Sequence, residues 1–379
     1  MEVNSVDDKT SYPSRDQLAY RLLELTAICG ELPANLLDRL HESPSYLEAV
    51  IRGLKKDKLL RVYYRDKVRS YRLSVKAKDF LLLDNNERFS FYLTGNSDTN
   101  ILKSELTRRL RLHRLAHAYV LMLNSGVRVF RDQKPNLFSP DGFTGGYFHT
   151  PTFYSSREVK ETGLETVKIR GSRMVGTLLS PSGIFVTYSG AQNLADWDYR
   201  AELRVKSIHV NMLCNNRLSG YYKSTHVHGL MLNQDMELFF QLISTSDTNT
   251  RCFFLMDRNY EHFYYVTNDR YGEVLLKLLC LPKMRSALDR VLSQGLYPRN
   301  AGLPIEHDAI DRKGDPVLFS YLLDIPRVNL FYSALQRQER SGTLICFDFQ
   351  SDILRRCFDA RVQIQTIDFA KFEGRFFHR

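Results

Sequence analysis

His226 and His228 stand one residue apart around Val227, so a strand through them would put both imidazoles on one face. Two histidines so placed can hold a divalent cation that polarises a DNA phosphate, which a tyrosine then attacks to form a covalent link. Tyr199, Tyr221 and Tyr222 are the neighbouring candidates for that nucleophile, while Ser224, Thr225, Asn233 and Gln234 add no third ligand. In a chain with 10 histidines such a triplet also arises by chance on the order of one time in ten.

A second chemistry lies nearer the amino end. Between Arg52 and Arg72 there are nine lysines and arginines (Arg52, Lys55, Lys56, Lys58, Arg61, Arg65, Lys67, Arg69, Arg72) against Asp57 and Asp66. Most of the chain's formal charge of +10 is concentrated there, and such a cluster suits a polyanion. The elements that would carry it are legible. Leu18, Leu22, Leu25 and Ile28 recur at helical spacing from Ser14 to Cys29, with Gly30 as a stop. A short helix is predicted over Pro33 to Leu40. Ser43-Pro44 then reads as an N-cap and first turn for a third helix whose apolar face is Leu47, Val50, Ile51 and Leu54. Leu59 to Tyr64 and Val68 to Leu73 read as two strands joined at Arg65-Asp66-Lys67.

Three helices and a hairpin in this order are the layout of a winged helix, predicted here over residues 12–97. In that layout the third helix meets base edges through Ser45, Tyr46, Ala49 and Arg52, and Lys55, Lys56, Arg65, Lys67 and Arg69 meet phosphates. Val75 to Leu83 is predicted helical and Arg88 to Leu93 a strand. A connecting helix is assigned to residues 98–126, where Arg108, Arg109 and Arg111 offer a second phosphate surface or a solvated linker face.

The order of these pieces resembles the replication-relaxation family of bacterial plasmids and integrative conjugative elements. The likeness rests on Ser70-Tyr71-Arg72-Leu73-Ser74, on Lys76-Ala77-Lys78-Asp79-Phe80-Leu81, and on Leu112-His113-Arg114-Leu115-Ala116-His117 running to Gly126-Val127-Arg128-Val129. It covers roughly the first 130 residues and extends less distinctly to about 215. The resemblance implies a winged-helix DNA-binding domain followed by an α/β domain, in proteins associated with plasmid replication or mobilisation.

Residues 127–379 are read as a mixed α/β domain, giving an α+β chain overall. Arg131 to Thr150 reads as a loop. Strands are predicted at Val167 to Arg170, Gly183 to Tyr188, Cys252 to Met256 and His262 to Val266, with helices at Asp198 to Leu213, Met236 to Ile243 and Tyr271 to Leu281. Thr343 to Phe349, Asp352 to Phe358 and Val362 to Ile367 form a strand–helix–strand unit fit for parallel pairing. A degenerate restriction-nuclease-like fold is one form this domain could take. Such an enzyme needs an acidic residue on one strand and a carboxylate–x–lysine pair on the next, but Gly183-Ile184-Phe185-Val186-Thr187-Tyr188 has neither group. Glu158-Val159-Lys160 has the spacing in a polar segment, and Glu202 with Lys206 reads as a surface i,i+4 pair. Gly142 to Gly146 lacks the Lys-Ser/Thr of a phosphate loop, and no Gly-x-Ser-x-Gly elbow occurs.

The amino end has no secretory pattern, and no apolar run approaches a membrane span. Six scattered cysteines fit buried reduced thiols and no zinc spacing, so a cytoplasmic protein is expected. The reading that follows is a DNA-binding protein of a bacterial mobile element, without catalysis, cofactor or membrane. Its expected partners are double-stranded DNA, replication or transfer proteins and a second copy in a homodimer. Two alternatives remain open. One is a strand-nicking relaxase or rolling-circle initiator of the HUH type, using His226, His228, a divalent cation and Tyr199, Tyr221 or Tyr222. The other is a transcriptional regulator whose α/β domain senses a ligand.

Overall fold

Ser43 turns the chain into its most amphipathic amino-terminal helix. Its hydroxyl accepts the Tyr46 N–H, Pro44 occupies the first turn, and Leu47, Ile51 and Leu54 are buried. In the computed structural model, residues 12–94, 105–140, 148–162, 172–190, 198–244 and 259–377 are described. The chain forms two compact units, residues 1–120 with 130–134, and residues 121–129 with 135–379.

In the first unit, helix α1 (Leu18–Cys29), strand β1 (Leu32–Pro33), a 3-10 helix (Ala34–Leu40) and helix α2 (Pro44–Lys56) precede a hairpin of β2 (Leu60–Arg65) and β3 (Val68–Leu73). The three strands form an antiparallel sheet ordered β1-β3-β2. Helix α2 ends with Lys58 at φ 57°, and the Leu59 N–H reaches back to the Leu54 carbonyl at 2.8 Å. This is a Schellman-type stop with a lysine where glycine is usual, and it aims the chain into β2. The hairpin turns on Asp66 and Lys67, at φ 53° and 61°, the two-residue geometry whose twist matches paired strands.

Helices α3 (Val75–Asp84) and α4 (Asn86–Leu93) follow. The strand predicted at Arg88 to Leu93 is therefore a helix. Asn85 caps it by accepting the Arg88 N–H at 3.0 Å, and Phe89, Tyr92 and Leu93 bury at helical spacing. Their aromatic, strand-like composition is overridden by this packing. Helix α5 (Leu106–Asn124) starts in the first unit, and its last four residues belong to the second.

The second unit is mixed α/β. Strands β4 (Thr152–Ser155), β5 (Met174–Ser180) and β6 (Gly183–Ser189) form an antiparallel meander. Helix α6 (Ser156–Val159) lies within the meander, and α7 (Tyr199–His209) leads to β7 (Val227–Asn233), which is parallel to β6. Helix α8 (Glu237–Ser244) precedes β8 (Phe263–Thr267), which is parallel to β7. The helix predicted to end at Leu213 instead widens into a π-helix over Val210–Arg217, closed by the Leu218 N–H on the Leu213 carbonyl at 2.8 Å. Helices α9 (Arg270–Cys280) and α10 (Pro282–Leu292) follow.

A second sheet runs β13-β12-β11-β10-β9, from β9 (Tyr297–Pro298), β10 (Ala309–Ile310), β11 (Pro316–Phe319), β12 (Gly342–Phe347) and β13 (Val362–Ile367). Strands β11, β12 and β13 are parallel and alternate with α11 (Ile325–Arg337) and α12 (Ser351–Cys357), and α13 (Phe369–Phe376) ends the series. The strand–helix–strand unit predicted at the carboxyl end is present. One apolar cluster serves both sheets: Val186, Met231 and Tyr265 share it with Leu318, Phe331 and Leu344. The strands predicted at Val167 to Arg170 and Cys252 to Met256, the Gly142 to Gly146 segment and Cys252 lie outside the described residues. Cys29, Cys214, Cys280 and Cys346 are buried free thiols.

Candidate functional site

Two places in the molecule concentrate chemistry. The first is the outward face of α2 with the β2–β3 hairpin. With Leu47, Ile51 and Leu54 committed to the core, helical geometry turns Ser45, Ala49, Arg52 and Lys56 to the opposite side, and all four are exposed. Tyr46, 49 % exposed, lies on the flank, where it borders a depression with Pro13, Gln17 and Gly53. Lys55, Lys58, Arg61, Arg65, Lys67 and Arg69 are exposed as well. Their local partners are weak, with Arg52 3.7 Å from Glu48 and Arg65 3.6 Å from Asp66, both on the surface.

Arg72 belongs to a different assembly. Glu31 is fully buried, and its carboxylate accepts from the Ser70 hydroxyl at 2.7 Å and from Nε of Arg72 and of Arg109, each at 2.9 Å. His113 donates to it through Nε2 at 2.8 Å. Arg109 also donates from Nη1 to the Arg65 carbonyl at 2.7 Å and from Nη2 to the Val68 carbonyl at 3.0 Å, the two ends of the hairpin turn. Both cations contact the Tyr63 ring, with its centroid 3.8 Å from the Arg72 guanidinium and 4.6 Å from that of Arg109.

Arg109, expected to meet a phosphate, is thus 0 % exposed and unable to do so. It clamps the hairpin from beneath, because a buried guanidinium must satisfy its donors within the fold. Arg108, ion-paired to Glu105 at 3.0 Å, and Arg111 do face solvent. Four partners hold the Glu31 carboxyl well below the usual carboxylate range despite its burial.

The second place is a cleft of about 450 Å³ in the α/β unit. Register puts Phe185 of β6 opposite His228 of β7, and Gly229 opposite Phe263, so His262 stands beside His228 at the entry to β8. The two imidazole centroids are 5.2 Å apart. His226 closes the turn before β7 and borders the same cleft, as do Ser182, Thr225, Tyr264 and Arg285 of α10. Gly183, at φ 146°, makes room for this arrangement. A Cβ there would stand 2.7 Å from the His226 carbonyl oxygen and 2.9 Å from the His228 ring.

The predicted histidine pair therefore shares a cleft without forming a metal pair. The Lys223 N–H donates to His226 Nδ1 at 3.1 Å, which leaves the ring proton on Nε2 and makes that atom a donor. His228 is 7 % exposed, and burial lowers its pKa to about 3, so it is neutral. Among the described residues no group of three His, Cys, Asp or Glu side chains is placed to hold a metal ion.

The three tyrosines expected as nucleophiles do not border the cleft. The Tyr222 hydroxyl accepts the Phe148 N–H at 3.2 Å and donates to the Ser180 carbonyl at 3.1 Å. Tyr199 accepts from Asn259 at 3.1 Å, and Tyr221 is half-exposed. Sequence reasoning missed His262, Tyr264, Arg285 and Asp324, which come from three separate elements with no local spacing to announce them.

The other carboxylates considered are structural. Glu158 forms a capping box with Ser155, accepting its N–H at 2.8 Å and its hydroxyl at 3.0 Å. Glu202 is not a surface partner of Lys206. It is fully buried, accepts from Ser172 Oγ and the Arg173 N–H at 2.8 Å each, and burial raises its pKa to about 7. Strands β5 and β6 contain no acidic residue and no lysine, so the hairpin supplies none of the groups of a two-carboxylate nuclease.

No family model matches this chain, and neither any curated protein nor any solved structure does. No helix among the described residues is long and apolar enough to cross a membrane.

Proposed function

We propose that this chain binds double-stranded DNA through a winged helix formed by its first unit. Support comes from the order helix, strand, 3-10 helix, helix, hairpin, with a sheet ordered β1-β3-β2. The observation that carries the reading is the distribution of charge. Of the nine cations between Arg52 and Arg72, all but Arg72 are exposed, and they lie on α2 and the hairpin beside it. Ser45, Ala49 and Arg52 are the base-edge readers on this reading, and Lys55, Lys56, Arg65, Lys67 and Arg69 meet phosphates. The burial of Arg109 and Arg72 serves the same end by fixing the turn that presents Arg65 and Lys67. The resemblance to the replication-relaxation family adds the expectation that the duplex belongs to a plasmid or conjugative element, with replication or transfer proteins as partners.

Fluorescence anisotropy with labelled duplexes across a salt series tests the reading. The triple variant K55E/K56E/K67E should bind all duplexes more weakly, with the log–log salt slope reduced by roughly 0.9 for each phosphate no longer neutralised. R52A should change the preference among sequences more than overall affinity. Unchanged affinity and slope in the triple variant would remove this face from the DNA surface.

A further inference from the structure

Among the described residues, the cleft of the α/β unit combines a cation that has no carboxylate within ion-pair distance with polar atoms that have no hydrogen-bond partner. Arg285 is half-buried, and its Nη1 meets the Tyr264 hydroxyl at 3.5 Å. The acid one helical turn on, Asp289, accepts from the Tyr321 hydroxyl at 2.5 Å and acts on the guanidinium only through space. His226 offers an Nε2–H fixed by the hydrogen bond on its other nitrogen. His262 is bound through Nδ1 to Asp324 Oδ2 at 2.6 Å, and Asp324 is itself oriented by the Phe263 N–H at 3.1 Å, so Nε2 is the ring atom left for a ligand. Behind the lining, His228 Nδ1 and Ser182 Oγ are buried with no hydrogen-bond partner among the described residues. Fold stability alone does not account for this set, because buried polar groups and half-buried cations are ordinarily satisfied inside the protein.

We propose that this cleft is a binding site for a phosphate group, held by Arg285, His226 and His262. The guanidinium and the fixed imidazole N–H disfavour a metal cation and favour an oxyanion. These donors come from the entries to β7 and β8 and from α10. They surround the space from several sides, which suits the tetrahedral oxygens of a phosphate better than a planar carboxylate meeting one fork. The acid lining the cleft, Glu261, is exposed at the rim, where water screens it. The phosphate can belong to a free phosphate ester or to a nucleic-acid strand. This site does not depend on the winged-helix reading, since none of its residues lies in the first unit.

Calorimetric titration of the full chain with inorganic phosphate tests it, with acetate as the planar control. Saturable phosphate binding that exceeds acetate binding and falls about tenfold or more in R285Q is the expected result. H226Q, at the solvent-facing rim, gives the same direction of change while leaving the core intact, and the thermal midpoint of each variant confirms folding. Competition by oligothymidylate would assign the phosphate to a strand, and competition by thymidine monophosphate alone would assign it to a free ester. Absence of saturable phosphate binding, equal binding of acetate, or unchanged binding in folded R285Q and H226Q would overturn the proposal. Loss of duplex binding in K55E/K56E/K67E with phosphate binding intact would separate the two sites.

Discussion

Replacing Arg109 by methionine separates two roles that look alike in the sequence, phosphate ligand and structural clamp. The substitution keeps the aliphatic stem and removes the guanidinium. It removes one donor each from the Arg65 and Val68 carbonyls, which pair across the hairpin, and takes one of two guanidinium partners from the buried Glu31. Each hydrogen bond lost to these carbonyls costs about 0.5–1.5 kcal/mol, and breaking a buried ion pair from one side costs roughly 3–5 kcal/mol. Because Arg72 and His113 still hold Glu31, the lower part of that range, about 3 kcal/mol, is expected for the first unit. R111M, on the exposed face of the same helix, should stay within about 0.5 kcal/mol of the parent. Urea denaturation followed by circular dichroism reads the stability difference. Hydrogen exchange across residues 60–73 should show faster opening of the hairpin in R109M alone. Duplex binding in R109M should weaken through disorder of the turn. Equal stability and exchange in R109M and R111M, with R109M only lowering the salt slope by roughly 0.9, would refute the clamp and restore Arg109 as a phosphate ligand.

Other outcomes follow from the same geometry. Glu31 is held far below its unfolded pKa, so its contribution to stability is full above about pH 4.5 and is lost as pH falls below that value; acid titration by circular dichroism should show E31Q less stable than the parent at pH 7 and the gap closing toward pH 3. Glu202 behaves in the opposite sense: its folded pKa of about 7 makes the protonated form the stable one, so the second unit loses stability as pH rises from about 4.5 through 7. E202Q should gain roughly 1–3 kcal/mol relative to the parent at pH 8 and little at pH 5, read by urea midpoints at both values. Lys58 sits at φ 57° where glycine carries no Cβ penalty, so K58G should stabilise the first unit by about 0.5–1 kcal/mol in thermal denaturation.

Local chemistry was enough to place α1, α2, α3 and the β2–β3 hairpin of the first unit. Ser43-Pro44 announces α2, the spacing of Leu47, Ile51 and Leu54 sets its buried face, and the remaining cations are exposed by exclusion. Alternation and turn residues likewise mark the β2–β3 hairpin and the strand–helix–strand series at the carboxyl end. Helical and strand periods are properties of neighbouring residues, so the chain carries them openly. The mistaken strand at Arg88 to Leu93 shows where that stops: aromatic residues suit either period, and the Asn85 cap and packing on the core made it a helix.

Long-range meetings left no such trace. Glu31, Ser70, Arg72, Arg109 and His113 converge across as many as 82 positions, and nothing in the run of arginines marks which one turns inward. His226 and His228 were visible as a pair, but their state was decided by Lys223 on one ring nitrogen and by burial against Phe185 and His262. Arg285 became a half-buried cation only because α10 lies beside the entries to β7 and β8. Burial and hydrogen-bond partnership depend on which elements pack together, and that is a property of the folded chain rather than of any window along it.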